Sequence, residues 1–245
     1  MTELILKRMK MKSWLSVLLL SIATLGTAHA DIATVQKNLK TNFPDIPVNS
    51  VNTTQFKDIY EVYMGGRIVY TNDDAKYFLV GNLIDLPNQV NITEQRQQVL
   101  SSIDVSKLPL NQAVKKVKGK GQRVIYLFSD PDCPYCKKLE AELDKVDNLT
   151  IYLFINPITS LHPTADKTSK QIWCSSKPYQ AWTDYTLKGI APTAKDSCKN
   201  PIDKNLELAK KLEVTGTPTF FLKDGRRISG ALPATELEMM LNEIK

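Results

Sequence analysis

Two cysteines separated by two residues, Cys133-Pro134-Tyr135-Cys136, are the part of this sequence best suited to covalent chemistry. A thiolate attacks the sulfur of a disulfide, and a second thiol within reach can resolve the mixed disulfide so formed. The flanking sequence decides whether such a pair is placed for this work. The apolar run Val124-Ile125-Tyr126-Leu127-Phe128 leads into Asp130-Pro131-Asp132, and a helix-like run, Lys137 to Val146, follows. Leu139, Leu143 and Val146 fall three, seven and ten residues beyond Cys136, the spacing of one helix face. The expected order is strand, short turn, Cys-x-x-Cys, helix, with the helix running from Cys133 to Val146. Cys133 then stands at the helix start, among unpaired N–H groups at the positive end of the dipole. Both favour thiolate, so its pKa is expected below the free value of about 8.5. Cys136, one turn deeper, receives less of this help. The asymmetry assigns attack to Cys133 and resolution to Cys136.

Two other uses of the pair compete with this one. Half of a zinc site would need a second close pair of ligands. The remaining cysteines, Cys174 and Cys198, are 24 positions apart, and only one histidine, His162, lies beyond residue 30. A structural disulfide closing so tight a loop would constrain the unfolded chain little. The strand-turn-helix setting favours redox chemistry over both. His162 lies between Leu161 and Pro163, which suggests a loop and a surface role, so a Cys-His hydrolase fits poorly.

The chain opens on a removable address. Lys7, Arg8, Lys10 and Lys12 form a basic region, Trp14 to Leu25 is mostly apolar, and Ala28-His29-Ala30 is a small-x-small cleavage site. The apolar run falls short of the roughly 20 residues that span a bilayer. A soluble, exported protein starting at Asp31 is expected, in an oxidising compartment where cysteines pair. Removing residues 1–30 takes away four basic residues and one acidic one, so the formal charge falls from +6 to +3. That balance gives no argument for nucleic acid. The densest basic run, Lys115, Lys116, Lys118, Lys120 and Arg123, reads as a solvated helix face and loop.

The elements that must position the cysteines follow in two groups. Asp31 to Asn42 has the period of a short amphipathic helix ending before Pro44. Strand-like runs follow at Val48–Val51, Ile59–Met64, Arg67–Thr71 and Phe78–Ile84, with Gly65-Gly66 as a two-residue hairpin turn. This helix and antiparallel meander, residues 31–90, form a small α+β unit with exposed sheet edges, which a second copy or the second domain would cover. A polar linker helix is expected over Glu94–Ile103, within a linker spanning 91–106. The second unit, 107–245, starts with a short helix at Asn111–Val117. Strand Val124–Phe128, the cysteine-bearing helix and strand Thr150–Ile155 come next. A helical stretch from Asn156 to Cys198 and a helix at Asp203–Leu212 follow. Strand Thr219–Leu222, a turn at Lys223-Asp224-Gly225-Arg226, strand Arg227–Ser229 and a closing helix Thr235–Ile244 complete it. Strand–helix–strand, helical insert, strand–strand–helix is a thioredoxin-type α/β layout.

Taken together, several motifs resemble the periplasmic disulfide isomerase family, the DsbC/DsbG group. They are Phe128-Ser129-Asp130 before Cys133-Pro134-Tyr135-Cys136, then Ile172-Trp173-Cys174, Ser197-Cys198 and Gly216-Thr217-Pro218. In the first unit, Gly65-Gly66, Tyr70-Thr71 and Gly81-Asn82-Leu83-Ile84-Asp85 match as well. The resemblance covers essentially all of residues 31–245. It implies a thioredoxin-like catalytic domain behind a small cystatin-like dimerisation domain, in a V-shaped homodimer with a peptide-binding cleft. It also implies a cis Pro218 packed on the cysteine pair, with Pro134, Tyr135, Thr217 and Pro218 supporting the site. Cys174–Cys198 is implied as a structural disulfide. No metal or cofactor beyond the dithiol is implied. The expected partners are mis-bridged exported proteins and a DsbD-type membrane reductase, in the periplasm. Pro134-Tyr135 between the cysteines is similar to the DsbG pattern as much as the DsbC one, whereas the distal cysteines and Gly216-Thr217-Pro218 are similar to DsbC. Isomerisation is the favoured activity. A DsbG-like sulfenic-acid reductase, a DsbA-like oxidase and a holdase chaperone are the alternatives.

Overall fold

The computed structural model describes residues 31–244. The expected signal segment, residues 1–30, and its cleavage after Ala30 lie outside the described residues. Helix α1, Ile32–Asn42, is capped by Asp31, whose carboxylate accepts the Thr34 N–H at 2.8 Å. Its apolar stripe buries Val35 and Leu39 completely against Val51, Val62, Met64 and Val69. Those four belong to an antiparallel sheet of β1 (Val48–Thr53), β2 (Tyr60–Met64) and β3 (Arg67–Thr71), in that order. The β2–β3 register pairs Met64 with Arg67 across Gly65 and Gly66. Both glycines have positive φ, +57° and +78°, as a two-residue turn that follows the strand twist requires.

Phe78–Ile84 does not form the expected fourth strand. Leu79 alone bridges Tyr70, by N–H···O bonds of 2.8 and 2.9 Å in the two directions. The chain then turns through β4 (Ile84–Asp85) and β5 (Val90–Asn91), which pair only with each other. Apolar composition suggested a strand there, but Gly81 interrupts the run, and Tyr77, Leu79 and Val80 are exposed. Helix α2, Ile92–Leu100, is capped by Asn91 and is not a bare connector. It lies along the sheet face opposite α1. Arg96 forks onto Glu61 (2.8 Å from Nη2 to Oε1). Gln97 Nε2 donates to the Gly66 carbonyl and its Oε1 accepts the Ile68 N–H, both at 2.8 Å.

The second unit is built on a five-stranded sheet in the order β10-β9-β7-β8-β6. Its members are β6 (Val114–Val117), β7 (Arg123–Ser129), β8 (Leu149–Ile155), β9 (Thr219–Leu222) and β10 (Arg227–Ser229). β7 and β8 are parallel and joined through α3 (Pro134–Leu143), and every other pairing is antiparallel. β6 replaces the helix expected over Asn111–Val117. Only a single helical turn at Leu110–Gln112 remains of it. Val114 faces the core while Lys115 faces water, and two β-branched ends suit an edge strand. The basic run therefore lies partly on a sheet edge, where lysine discourages further strand pairing, rather than on a helix face.

Three helices, α4 (Ala165–Trp173), α5 (Pro178–Lys188) and α6 (Ile202–Lys211), occupy the region between β8 and β9, and α7 (Ala234–Glu243) closes the chain. One core joins Ile125, Leu127, Leu139, Leu143, Val146, Ile151, Leu153 and Trp182, and a second on the other sheet face joins Phe128, Phe154 and Phe221. Cys174, at the end of α4, is bridged to Cys198 with a Cα–Cα distance of 5.9 Å. Helix α3 ends at Leu143, three residues before the expected Val146, which is nevertheless buried.

Candidate active site

β7 runs through the centre of its sheet and delivers the chain to Asp130 at one end. Cys133 is the N-cap of α3 and Pro134 its first residue, where a missing N–H costs nothing and φ is already helical. Cys133 and Cys136 are both free thiols, 6% and 1% exposed. The Sγ of Cys133 approaches the Thr217 carbonyl oxygen at 3.4 Å, and the Thr217–Pro218 peptide is cis. Cys133, Pro134, Tyr135, Cys136, Thr217 and Pro218 are thus gathered at one end of the sheet. Tyr135 projects outward and is 66% exposed. Cys174 and Cys198 stand apart, in the helical insert.

The two sulfurs differ sharply. A hydrogen bond from the Cys136 thiol lowers the Cys133 pKa most. The backbone N–H groups of Cys136 and Tyr135 and the buried Thr217 hydroxyl act the same way, and together they outweigh burial and bring it to about 5. Burial pushes the Cys136 thiol far up, and its bond to Cys133 pushes the same way. The Asp130 N–H, 3.3 Å from Cys136 Sγ, opposes this only in part. At neutral pH the outer sulfur is a thiolate and the inner one a thiol.

Beneath the turn is a polar cluster that the sequence did not disclose. Asp130 is fully buried. Its Oδ1 accepts the Asp132 N–H at 2.8 Å, and its Oδ2 accepts the Ile158 N–H at 2.6 Å and faces His162 Nδ1 at 2.9 Å. Asp132 in turn accepts from the Tyr185 hydroxyl and from the Thr164 hydroxyl, the latter at 2.9 Å. His162 does lie in the loop before α4, but the expected surface role is corrected. Its side chain is mostly covered and tied to a buried carboxylate, which holds its pKa above the ordinary value. Phe128-Ser129-Asp130 carried the family resemblance without any role attaching to Asp130, and 32 residues separate it from His162. Only the fold brings the two together.

Among the described residues no three His, Cys, Asp or Glu side chains are grouped to hold a metal ion. Among the same residues no helix is long and apolar enough to cross a membrane.

Comparison with known proteins agrees with this geometry. Residues 26–94 match the family model described as the disulfide bond isomerase protein N-terminal domain, and residues 110–245 match a thioredoxin-like domain. A probable thiol:disulfide interchange protein DsbC of Bordetella pertussis is 40% identical over 84% of this chain and 73% of its own length. The thiol:disulfide interchange protein DsbC of Escherichia coli K12 is 27% identical over 95% of this chain and 97% of its own. Among solved structures, a disulfide interchange protein from Neisseria gonorrhoeae superimposes with a TM-score of 0.54 at 38% identity, covering 56% of this chain and 97% of that one. A thioredoxin-like domain carrying a low-pKa cysteine at a helix N-terminus, behind a DsbC-type N-terminal domain, places this chain in the DsbC family of thiol:disulfide interchange proteins.

Proposed function

We propose that this protein isomerises incorrect disulfides in exported proteins, working in the periplasm as a homodimer. The contrast between Cys133 and Cys136 beside the Thr217–Pro218 loop carries the reading. The Cys133 thiolate attacks one sulfur of a substrate disulfide. The new S–S bond is the mixed disulfide, and the displaced substrate sulfur leaves as a thiolate. That thiolate, or another substrate thiol, attacks elsewhere, and a final attack on the mixed disulfide returns Cys133 as thiolate with no net oxidation. When the complex stalls, Cys136 gives up its proton and attacks Cys133. Reduced substrate is released, and the enzyme is left with a Cys133–Cys136 disulfide. An external dithiol must then restore it, for which a DsbD-type membrane reductase is the proposed partner. The cysteines themselves carry the electrons, so no other cofactor enters. Exposed Tyr135 and the Thr217–Pro218 loop are the proposed contacts for an extended substrate segment.

The proposed dimer rests on the first sheet. Tyr77 and Leu86, flanking the stretch that fails to complete a strand, are each 78% exposed, and Val80 within it is 68% exposed. A cavity of about 410 Å³ beside it is lined by Phe56, Ile59, Tyr70, Leu79 and Leu83. An apolar, half-paired edge of this kind fits a second copy of itself, which would bury it and extend the sheet.

The deciding experiment follows recovery of a multi-disulfide ribonuclease from its scrambled form. Full-length protein kept reduced should restore activity, and Cys133→Ala should not. Recovery by the Cys133→Ala variant would overturn the isomerase reading and favour a holdase. Alkylation trapping in cells then separates isomerase from oxidase. A mainly oxidised pair would favour the oxidase, and a reduced one the isomerase.

A further inference from the structure

The reaction as derived uses neither Asp130 nor His162, yet both lie against the active-site turn. Asp130 is fully buried three residues before the nucleophile, and its own N–H meets Cys136 Sγ. An uncompensated carboxylate there would oppose a thiolate at Cys133, because charges of like sign interact strongly where water is excluded. Among the described residues His162 is the one basic side chain bonded to that carboxylate, at 2.9 Å. We infer that His162 is a positioning residue that neutralises the buried Asp130 carboxylate, so that its protonation and the thiolate state of Cys133 are coupled.

The charged and titratable groups around His162 fit this inference. Asp130 and Asp132 face it from the β7–α3 turn and Cys133 from the start of α3, and all three raise its pKa. On α5, Tyr185 is engaged with Asp132, and Lys137 on α3 lies over the Tyr185 ring at 5.2 Å. With His162 protonated, the Asp130–His162 pair is neutral and Cys133 ionises easily. Above the His162 titration the pair is net negative and the thiolate is disfavoured. Forming the Cys133–Cys136 disulfide removes the thiolate, and His162 should then hold its proton less tightly. By linkage the two effects have the same size.

His162 is the only histidine after residue 30, so its imidazole can be followed by NMR in the processed protein without any substitution. Its midpoint should be higher in the reduced than in the oxidised protein, by about threefold in proton affinity, because the Cys133 thiolate raises it. Equal midpoints in the two redox states would overturn the inference. The second arm uses charge at constant hydrogen bonding. In H162Q a neutral amide replaces the cation beside Asp130, so the acidity of the Cys133 thiol should fall about threefold and its thiolate fraction at pH 5 about twofold. The D130N/H162Q double variant, neutral at both positions, should return to the parent midpoint. A double variant shifted as far as H162Q would mean that hydrogen-bond geometry, and not charge, is responsible, and would overturn the inference. The inference rests on Cys133 being the nucleophile. A parent protein whose Cys133 alkylates only near the free-thiol pKa would overturn that reading and this one together. A low midpoint with a redox-independent His162 titration overturns only this one.

Discussion

The Sγ atom of Cys133 lies 3.4 Å from the carbonyl oxygen of Thr217, 84 positions further along the chain. This sulfur is therefore set by two elements at once, the start of α3 and the loop before β9. The Thr217 hydroxyl is buried without a conventional hydrogen-bond partner, and it favours the thiolate. Thr217→Val keeps the shape and removes the hydroxyl. The Cys133 midpoint should rise from about 5, by roughly half a unit to one unit. Thiolate absorbance followed against pH checks this, and an unchanged midpoint would remove Thr217 from the set of groups that tune the sulfur.

A second prediction concerns how the helical insert holds α3. Glu140 of α3 is buried and accepts from the Tyr179 hydroxyl at 2.7 Å and from Trp182 Nε1 at 2.9 Å, both on α5. Burial raises its pKa above the ordinary 4.5. The folded protein then binds this proton more tightly than the unfolded chain, so this contribution to stability is full below 4.5 and declines as pH rises through the folded value. Glu140→Gln should flatten that decline, since an amide can accept from Trp182 and donate to Tyr179. Glu140→Leu leaves two buried donors without acceptors and should cost about 2–4 kcal/mol. Urea denaturation at two pH values distinguishes them, and a Leu variant as stable as the parent would show that the two bonds contribute nothing.

The distal disulfide gives a third. Cys174–Cys198 spans 24 positions and ties the end of α4 to the loop before α6. Closing a loop of that size stabilises by roughly 3.5 kcal/mol on the chain-entropy model. Alanine at both positions should lower stability while Cys133 keeps its alkylation profile. Equal thermal stability of variant and parent under non-reducing conditions would exclude a structural role.

What the sequence made legible was local. Gly65-Gly66, the run Val124–Phe128 and the spacing of Leu139 and Leu143 each carry their own period or turn chemistry, and each element formed where that chemistry placed it. The asymmetry of Cys133 and Cys136 was legible for the same reason, since a helix N-terminus is a local feature. The misreadings were not local. Val114–Val117 became a strand because β8 offered it an edge, whereas in 78–83 only Leu79 bridges the sheet, at Tyr70, and Gly81 interrupts the run. His162 looked like a surface residue because nothing near it in sequence reveals that Asp130, just past the end of β7 with α3 and β8 between them, lies 2.9 Å away.

The fourth prediction tests the open edge. Leu79→Asp places a charge beside the exposed apolar stretch without touching the cysteine site. Parent protein should sediment as a dimer and the variant as a monomer, with Cys133 alkylation unchanged. A variant that stays dimeric would move the proposed interface elsewhere.

The last prediction joins the two units to one activity. Isomerisation requires that a substrate be held while several pairings are tried, whereas reduction needs one encounter ended by Cys136. The second unit contains both cysteines, Thr217 and Pro218, and Leu108 packs into its core beside Phe128 and Phe154, so residues 105–245 hold the whole thiol site. That segment alone should be a monomer and still reduce a small disulfide. It should lose most of its recovery of scrambled ribonuclease, because nothing then keeps the substrate near Cys133 after the first exchange. Full-length Cys136→Ala should show the converse. It should accumulate mixed disulfides and retain part of the isomerisation, since the proposed reaction gives the attack to Cys133 and only the escape to Cys136. Both proteins are compared with the parent on both substrates. If residues 105–245 unscramble as fast as the full chain, the first unit has no part in the reaction, and the protein is better described as a reductase.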